Sequence, residues 1–209
     1  MPAMSSDMRP LIIACGALAT ELRAVLRASG ISEIIEVIYL PANLHNRPEH
    51  IAPQVAELLA QNISRPTLVA YADCGTGGHL DALLTKFPEV TRLPGAHCYE
   101  LFAGTPDFLA AHEEEPGTFY LTDFLAKHFD ALVWQGLGLD VHPELRDTYF
   151  GNYRRVVLFS QSIDPDVVRA GQDAAQRLGL AFEHRHVGLE RLADAIPVLF
   201  KSSIKVESL

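Results

Sequence analysis

The segment "PTLVAYADCGTGGHLD", residues 66–81, carries the pattern that decides the fold. The apolar run 66–72 is typical of a buried strand, whereas Leu80 and Leu83 lie at the spacing of a helix face. Between them, Cys74 precedes a turn in which three of four residues are glycine. A buried strand, a glycine turn and a helix in succession are typical of a parallel α/β sheet.

The same alternation extends along the chain. The strands that it predicts are 10–15, 33–41, 66–74, 154–160 and 181–187, and residues 89–98 are predicted as a shorter strand with its loop. Amphipathic helices lie between most of them, and Asp164 with Pro165 has the pattern of an N-cap followed by a first-turn proline. We therefore expect an α/β fold with a mostly parallel sheet and helices on both faces, a Rossmann-like three-layer arrangement.

The domain organisation follows from the absence of a long linker. The 209 residues contain no internal repeat, so we expect a single α/β domain spanning residues 1–209. The stretch 102–120 contains a Gly-Thr-Pro sequence and an acidic run, and it is the candidate boundary if the chain has two lobes.

Charge and hydropathy exclude several classes of protein. The net charge of −9 argues against a nucleic-acid partner, which requires clustered Lys and Arg. No segment approaches the roughly 18 consecutive apolar residues of a membrane span, so no membrane partner is expected. The first residues lack the pattern of a secretory signal, and three cysteines do not make a disulfide framework. These patterns predict a cytoplasmic protein.

The three cysteines fall at equivalent places in the predicted sheet. Cys15 ends the first strand, Cys74 ends the third and Cys98 follows the fourth, each close to the start of a helix. Ligands of parallel sheets bind outside the carboxyl ends of the strands, so the three thiols are expected to meet in one crevice. Helix N-termini lower thiol pKa values, and several thiolates together require a cation.

The residues therefore predict a metal site with Cys15, Cys74 and Cys98 as ligands. Zinc, with one open coordination position, is preferred over an iron–sulfur cluster held by the same three cysteines. The spacing does not match the C-x₂-C pairs of structural zinc sites, and buried cysteine also serves as a small hydrophobe. Three packed thiols thus remain an alternative.

Polar residues near the same edge suggest a small-molecule substrate, either anionic or a thiol. The candidate substrate-binding residues are His45, Arg47, Gly75, Thr76, Gly77, Gly78 and His142. The glycine turn has the composition of an anion nest, and an arginine can clamp a carboxylate or phosphate. Because the turn lacks the lysine of a P-loop, a nucleotide site is the weaker interpretation.

Three residues are candidates for proton transfer: Asp73, His97 and Glu100. Asp73 and Glu100 have a commoner use as acids at helix termini. The alternative interpretation of Arg47 is a surface side chain, and that of the His142 segment is a structural turn. The remaining histidines, including His184 and His186, show no convergent pattern in the sequence.

Five motifs together resemble a known family. They are "ACGALATEL", "LPANLHNRPE", "YADCGTGG", "LPGAHCYELFAG" and "GLGLDVHPEL". From about residue 11 to about residue 190 the chain resembles a bacterial and archaeal family catalogued as a domain of unknown function. The resemblance implies as motif residues Cys15, His45, Arg47, Asp73, Cys74, His97, Cys98 and Glu100. It also implies association with corrinoid proteins and corrinoid-dependent methyltransferases.

Three functional hypotheses result. The first is a metal-dependent methyltransferase, or a methyl-transfer component, of corrinoid-linked C1 metabolism, because zinc stabilises a thiolate that accepts a methyl group. The second is an accessory protein that delivers metal or binds a corrinoid protein without turnover. The third is a metal-free hydrolase or transferase that uses Cys74 as its nucleophile.

Overall fold

The computed structural model describes residues 9–203, and side chains up to residue 196. Within these residues the chain divides into two compact units. Unit 1 contains residues 9–101 and 190–203, and unit 2 contains Phe102–Leu189. Whether the units fold independently is a separate property, so the single domain and its lobe boundary near 102–120 stay predictions.

Between residues 9 and 203, seven strands form two sheets in which every pairing is parallel. In chain order the strands are β1 Leu11–Cys15, β2 Glu36–Leu40, β3 Thr67–Ala70, β4 Thr91–Arg92, β5 Thr118–Leu121, β6 Arg155–Ser160 and β7 Ala181–His186. Unit 1 has the strand order β2-β1-β3-β4 and unit 2 has the order β5-β6-β7. The predicted α/β class with parallel sheets is confirmed.

Helices follow most of the strands. They are α1 Ala19–Ala28, α2 Ile51–Gln61, α3 His79–Leu84, α4 Cys98–Ala103, α5 Thr105–Glu114, α6 Asp123–Lys127, α7 Arg146–Phe150, α8 Pro165–Leu178 and α9 Glu190–Ser203. Short 3₁₀ turns at Gly16–Leu18, Ala42–Asn46 and Pro48–His50 join strands to helices in unit 1. Among the residues with described positions, no helix is long and apolar enough to cross a membrane.

Both faces of the unit 1 sheet carry helices. The chain leaves β1 for β2 on one side and then passes back to β3 on the other side of β1. Because parallel crossovers are right-handed, this reversal places α1 and α2 on opposite faces. Consistently, α9 packs with α1 and β3, and α2 packs with α3. The central strands β1 and β3 are fully buried between these layers, as their continuous apolar runs predicted.

Unit 2 is built on β6, which is flanked by β5 and β7. Helices α6 and α8 pack against β6, and their apolar faces close a core that includes Leu121, Val156 and Leu158. Asp164 caps α8 by accepting a hydrogen bond from the Asp166 N–H at 2.9 Å, as predicted. Strand β5 was not predicted.

Candidate functional site

The unit 1 sheet has a topological switch point between β1 and β3. The chain leaves β1 toward one edge of the sheet and leaves β3 toward the other, so a crevice opens at their carboxyl ends. A small cavity lies there, lined by apolar residues and by Cys15, His45, Tyr71, Cys74 and Cys98. Its free volume is about 10 Å³, which is room for roughly one water-sized group.

The predicted metal–thiolate site is wrong. Each of the three cysteines contributes to the wall of this cavity, yet across residues 9–203 no group of three or more His, Cys, Asp and Glu side chains is arranged to hold a metal ion. The corrinoid-linked methyltransferase and the metal-delivering or cluster-binding alternatives were inferred from that site and are corrected with it. Zinc or an iron–sulfur cluster as a cofactor stays an untested prediction.

The expectation of thiols with low pKa values is also wrong. Burial raises the pKa of Cys15 to about 11, against smaller lowering effects of the backbone N–H groups of Ala17 and Leu18 and of the nearby Tyr71 hydroxyl. Burial, with the charge of Cys15, raises the pKa of Cys74 to about 12, and burial raises that of Cys98 well above 9.0. The helices beside them have only three to six residues, so their dipoles do not compensate for lost hydration. All three thiols are neutral near pH 7.

Cys15 is held at the end of β1 by its own helical turn. It caps the 3₁₀ helix Gly16–Leu18, where its Sγ accepts a hydrogen bond from the Ala17 N–H at 3.3 Å. The Nδ1 atom of His45 lies 3.9 Å from this sulfur and 2.9 Å from the Ala42 carbonyl oxygen. The nearer carbonyl accepts the Nδ1–H, which leaves Nε2 of His45 with a free lone pair.

The residue that sequence reasoning missed in this cavity is Tyr71. Its side chain is fully buried, its ring stacks on that of His45 at 6.3 Å, and its hydroxyl has no hydrogen-bond partner among the described residues. Burial, together with the charges of the Cys15 and Cys74 thiols, raises the pKa of this hydroxyl. The hydroxyl and the Cys15 thiol influence each other electrostatically, but they lack hydrogen-bond geometry. The sequence offered no signal, because Tyr71 looks like one more residue of a buried strand.

Cys74 has an unusual backbone. Its φ is 51°, and within the described part of the chain it is the single residue other than glycine with a positive φ. Two backbone hydrogen bonds to carbonyl groups of the next loop hold this conformation. The Cys74 N–H donates to Ala96 O at 2.8 Å, and the Asp73 N–H donates to Gly95 O at 3.1 Å. These two bonds join the Cys74 turn to the loop that follows β4.

Asp73 organises the glycine turn. Its carboxylate accepts hydrogen bonds from the Thr76 hydroxyl at 2.6 Å, the Gly78 N–H at 2.9 Å and the Gly77 N–H at 3.1 Å. Burial raises the pKa of Asp73, but these three bonds outweigh it and lower the pKa below its ordinary value. Two backbone donors that an anion would need are therefore used internally. The substrate role of Gly75, Thr76, Gly77 and Gly78 and the catalytic role of Asp73 stay predictions.

The loop after β4 is held by Glu100 and Arg92. The Ala96 N–H donates to Glu100 Oε2 at 2.9 Å, and a Cβ on Gly95 would come within 2.7 Å of that oxygen. Arg92 forms a bidentate ion pair with Asp81 at 2.5 and 2.8 Å and also donates to Gly95 O at 3.2 Å. Glu100 thus has a structural contact, and its catalytic role stays a prediction. Arg92 was missed by sequence reasoning because it lies inside a predicted strand.

The other candidate residues are exposed. His97 packs its ring 6.1 Å from Tyr99, and Arg47 has no side-chain hydrogen bond or ion pair with a described residue. His142 belongs to unit 2, where its Nδ1 lies 3.2 Å from Glu144. Their catalytic or substrate-binding roles stay predictions.

Comparison with known proteins places the chain in a family without assigning it a function. No curated protein and no solved structure matches it. The association with corrinoid proteins that the resemblance implied therefore stays a prediction. A family model described as "Protein of unknown function (DUF1638)" matches residues 39–196, which include the 3₁₀ turn of His45, the Cys74 turn and the loop of Glu100. Because this match covers most of its length, the chain belongs to that family of proteins of unknown function.

Proposed function

We propose that the chain is a thiol-dependent enzyme, a transferase or hydrolase that acts on a small molecule through Cys74. The observation that carries the proposal is the positive φ of 51° at Cys74. A side chain in this left-handed region costs about 1–2 kcal/mol relative to a helical conformation. Such strain persists where surrounding structure enforces it, and it is concentrated at active sites.

The position of Cys74 supports the same conclusion. The residue lies in a tight strand-to-helix turn between β3 and α3, at the carboxyl edge of a parallel sheet and beside the switch point. Strained turns of this type present nucleophiles in other α/β enzymes. A thiol that served only as packing would not require a positive φ. At such a position glycine avoids the steric penalty that the Cβ of a cysteine incurs.

The chemistry begins from a neutral thiol. Burial raises the pKa of Cys74 to about 12, so its sulfur becomes nucleophilic only when a base removes the proton. His45 lines the same cavity, its Nδ1–H is bound to Ala42 O, and burial lowers the pKa of its ring, so Nε2 is available as proton acceptor. Sulfur then bonds to an electrophilic carbon, and the leaving group departs with the bonding electron pair. Water or a second substrate then attacks the same carbon and releases the Cys74 sulfur.

Tyr71 favours a carbonyl compound as substrate. Its buried hydroxyl is a donor without an acceptor, and a carbonyl oxygen would supply the missing partner. The cavity of about 10 Å³ admits only the reacting end of the molecule. The remainder would lie against Arg47, which is on the same loop as His45 and whose exposed and unpaired guanidinium suits an anionic group.

The test uses p-nitrophenyl acetate, a small activated ester, with intact-mass detection. We expect release of p-nitrophenol in a burst equal to one acetyl group per chain, with the adduct on Cys74 and no effect of a metal chelator. Cys74→Ala should remove the burst, whereas the matched variant Cys98→Ser should keep it. An adduct that persists in Cys74→Ala, or a chain that takes up no acetyl group, would favour three packed thiols instead.

A further inference from the structure

A second group of chemically active side chains lies in unit 2, at the carboxyl ends of β6 and β7. Ser160 is the last residue of β6 and is fully buried. Its Oγ lies 2.8 Å from Nε2 of His184 and 3.2 Å from Nδ1 of His186. Two imidazoles thus meet on one hydroxyl.

The strand explains why both rings reach Ser160. His184 and His186 are two residues apart on β7, and side chains at this spacing lie on the same face of a strand. In the parallel register His186 is paired with Ser160 and His184 with Leu158, so both histidines flank the end of β6. β7 is an edge strand of the described sheet, and both histidines are exposed to solvent.

Each ring keeps one nitrogen for another partner. In the tautomers that carry the proton on Nε2 of His184 and on Nδ1 of His186, both N–H groups donate to the two lone pairs of the Ser160 Oγ. Nδ1 of His184 and Nε2 of His186 then carry lone pairs, and neither has a hydrogen-bond or ion-pair partner among the residues with described side chains. Metal-bound histidines have this arrangement, in which a second hydrogen bond fixes the tautomer and orients the ring.

We propose that His184 and His186 bind a divalent transition-metal ion of the class Zn²⁺, Ni²⁺ or Cu²⁺, with Ser160 as the positioning residue for both rings. Imidazole nitrogen is a ligand that these ions prefer over the oxygen ligands of Mg²⁺ or Ca²⁺. This site has two protein ligands, both histidines, whereas the metal–thiolate site predicted from the sequence required three cysteines. Water completes the coordination. It is independent of the thiol chemistry proposed for unit 1.

The opposite face of the same strands carries a different kind of cluster. There Arg155 pairs with Glu183 at 2.9 Å and with Glu114 at 3.2 Å, while Arg185 pairs with Glu183 at 2.5 Å. Among the residues with described side chains, these charges are paired with one another, whereas the two imidazole rings keep free nitrogens. The metal site is therefore specific to the face of Ser160.

Titration of the full chain with Co²⁺ tests the proposal, because thiolate ligation gives an intense near-ultraviolet charge-transfer band that imidazole ligation lacks. The protein is purified without a histidine tag, and affinity is measured by calorimetry. We expect one Co²⁺ per chain with ligand-field bands and no thiolate band. His184→Ala and His186→Ala should each weaken binding at least about tenfold, as expected for the loss of one of two ligands.

Two further variants separate positioning from a general loss of structure. Ser160→Ala should weaken Co²⁺ binding by roughly 10–100-fold while both histidines remain, because the rings lose their common anchor. His142→Ala, which removes another exposed histidine of unit 2, should leave binding unchanged. The absence of Co²⁺ binding, a thiolate band, or unchanged affinity in the double variant His184→Ala/His186→Ala would overturn the proposal.

Discussion

His45 and Cys15 lie 3.9 Å apart between Nδ1 and Sγ, but the Nδ1 proton is committed to the Ala42 carbonyl oxygen at 2.9 Å. The pair is therefore not a thiolate–imidazolium pair in the resting protein. The pKa values agree, because burial raises that of Cys15 to about 11 and lowers that of His45. A neutral thiol beside a neutral imidazole is the ground state of this cavity.

The first consequence concerns the pH dependence of alkylation. Since the pKa of Cys74 is raised to about 12, the thiolate fraction should increase about tenfold for each pH unit below that value. We expect the rate of modification by iodoacetamide to rise through pH 7–10, roughly in this proportion and without a plateau. Quenched-flow labelling with peptide mapping follows each cysteine separately. A plateau near neutral pH would show a thiolate in the resting state and contradict the raised pKa.

The second consequence concerns stability in alkali. The pKa of Cys15 is about 11 in the folded chain and 9.0 ordinarily, so the unfolded chain loses this proton first as pH rises. The neutral Cys15 thiol therefore stabilises the folded chain fully below pH 9. Between pH 9 and pH 11 the free energy of unfolding decreases by roughly 1.4 kcal/mol per pH unit as this contribution is lost. We expect urea unfolding to show a lower free energy at about pH 10 than at about pH 8.

The matched variant for this measurement is Cys15→Ala. It removes one titrating thiol, so its unfolding free energy should fall less between the same two pH values, by about 1 kcal/mol. The comparison concerns the change with pH and not the absolute stability, which the lost sulfur lowers at every pH. An equal decrease in both proteins would show that Cys15 has the same pKa in the folded and unfolded chains.

The fold could be predicted because its central strands are continuous apolar runs. The runs that contain β1 and β3 are buried on both sides, and each is followed by a turn that changes the hydrophobic period to that of a helix. Within 89–98 a short strand and its loop were predicted, and of these residues only Thr91 and Arg92 pair with β3. The apolar residues beyond them in sequence belong to a loop that contributes Leu93 to the cavity.

The site could be predicted only as a list of residues near one edge. Strand ends indicate where Cys15 and Cys74 lie along the sheet, but not how deeply each thiol is buried, and burial decides their charge. Likewise, no pattern shows that the carboxylate of Asp73 turns back onto Thr76 and Gly78. These properties depend on contacts between segments distant in sequence or on local turn geometry.

The pair His184 and His186 shows a signal that was present and not used. Their spacing of two within a predicted strand already places both rings on one face. What the sequence lacked was the register of β7 against β6, which brings Ser160 between them. Alternation within one strand is local, whereas register depends on the packing of the whole unit.

A further test concerns Asp73 as the centre of the glycine turn. Asp73→Ala would leave the Thr76 hydroxyl and two backbone N–H groups without their acceptor, so we expect a loss of about 2 kcal/mol in unfolding free energy. Asp73→Asn retains one oxygen acceptor and should lose less. Chemical denaturation measures both.

The control for Asp73 is Asp140, an exposed acid without a hydrogen bond or ion pair to any residue in the described ranges. Asp140→Ala should change stability by less than about 0.5 kcal/mol. Equal effects of the two alanine variants would mean that the Asp73 carboxylate does not organise the turn, and that the backbone of the turn is open to an anion.

The strain at Cys74 can be measured by comparing two small replacements. Both Cys74→Gly and Cys74→Ala remove the sulfur, but only alanine keeps a Cβ at a φ of 51°. We expect the glycine variant to be more stable than the alanine variant by about 1 kcal/mol, because glycine adopts this conformation without a steric penalty. Thermal and urea unfolding give the difference directly.

Cys15 provides the matched control, since it is also buried but has an ordinary φ of −64°. There Cys15→Ala should be more stable than Cys15→Gly by about 0.5–1 kcal/mol, because glycine loses more conformational entropy on folding. Opposite orders at the two cysteines would establish that the fold maintains an unfavourable backbone at Cys74 for the sake of its side chain. The same order at both would remove the observation on which the role of Cys74 as a nucleophile depends, and would leave it as one of three packed thiols.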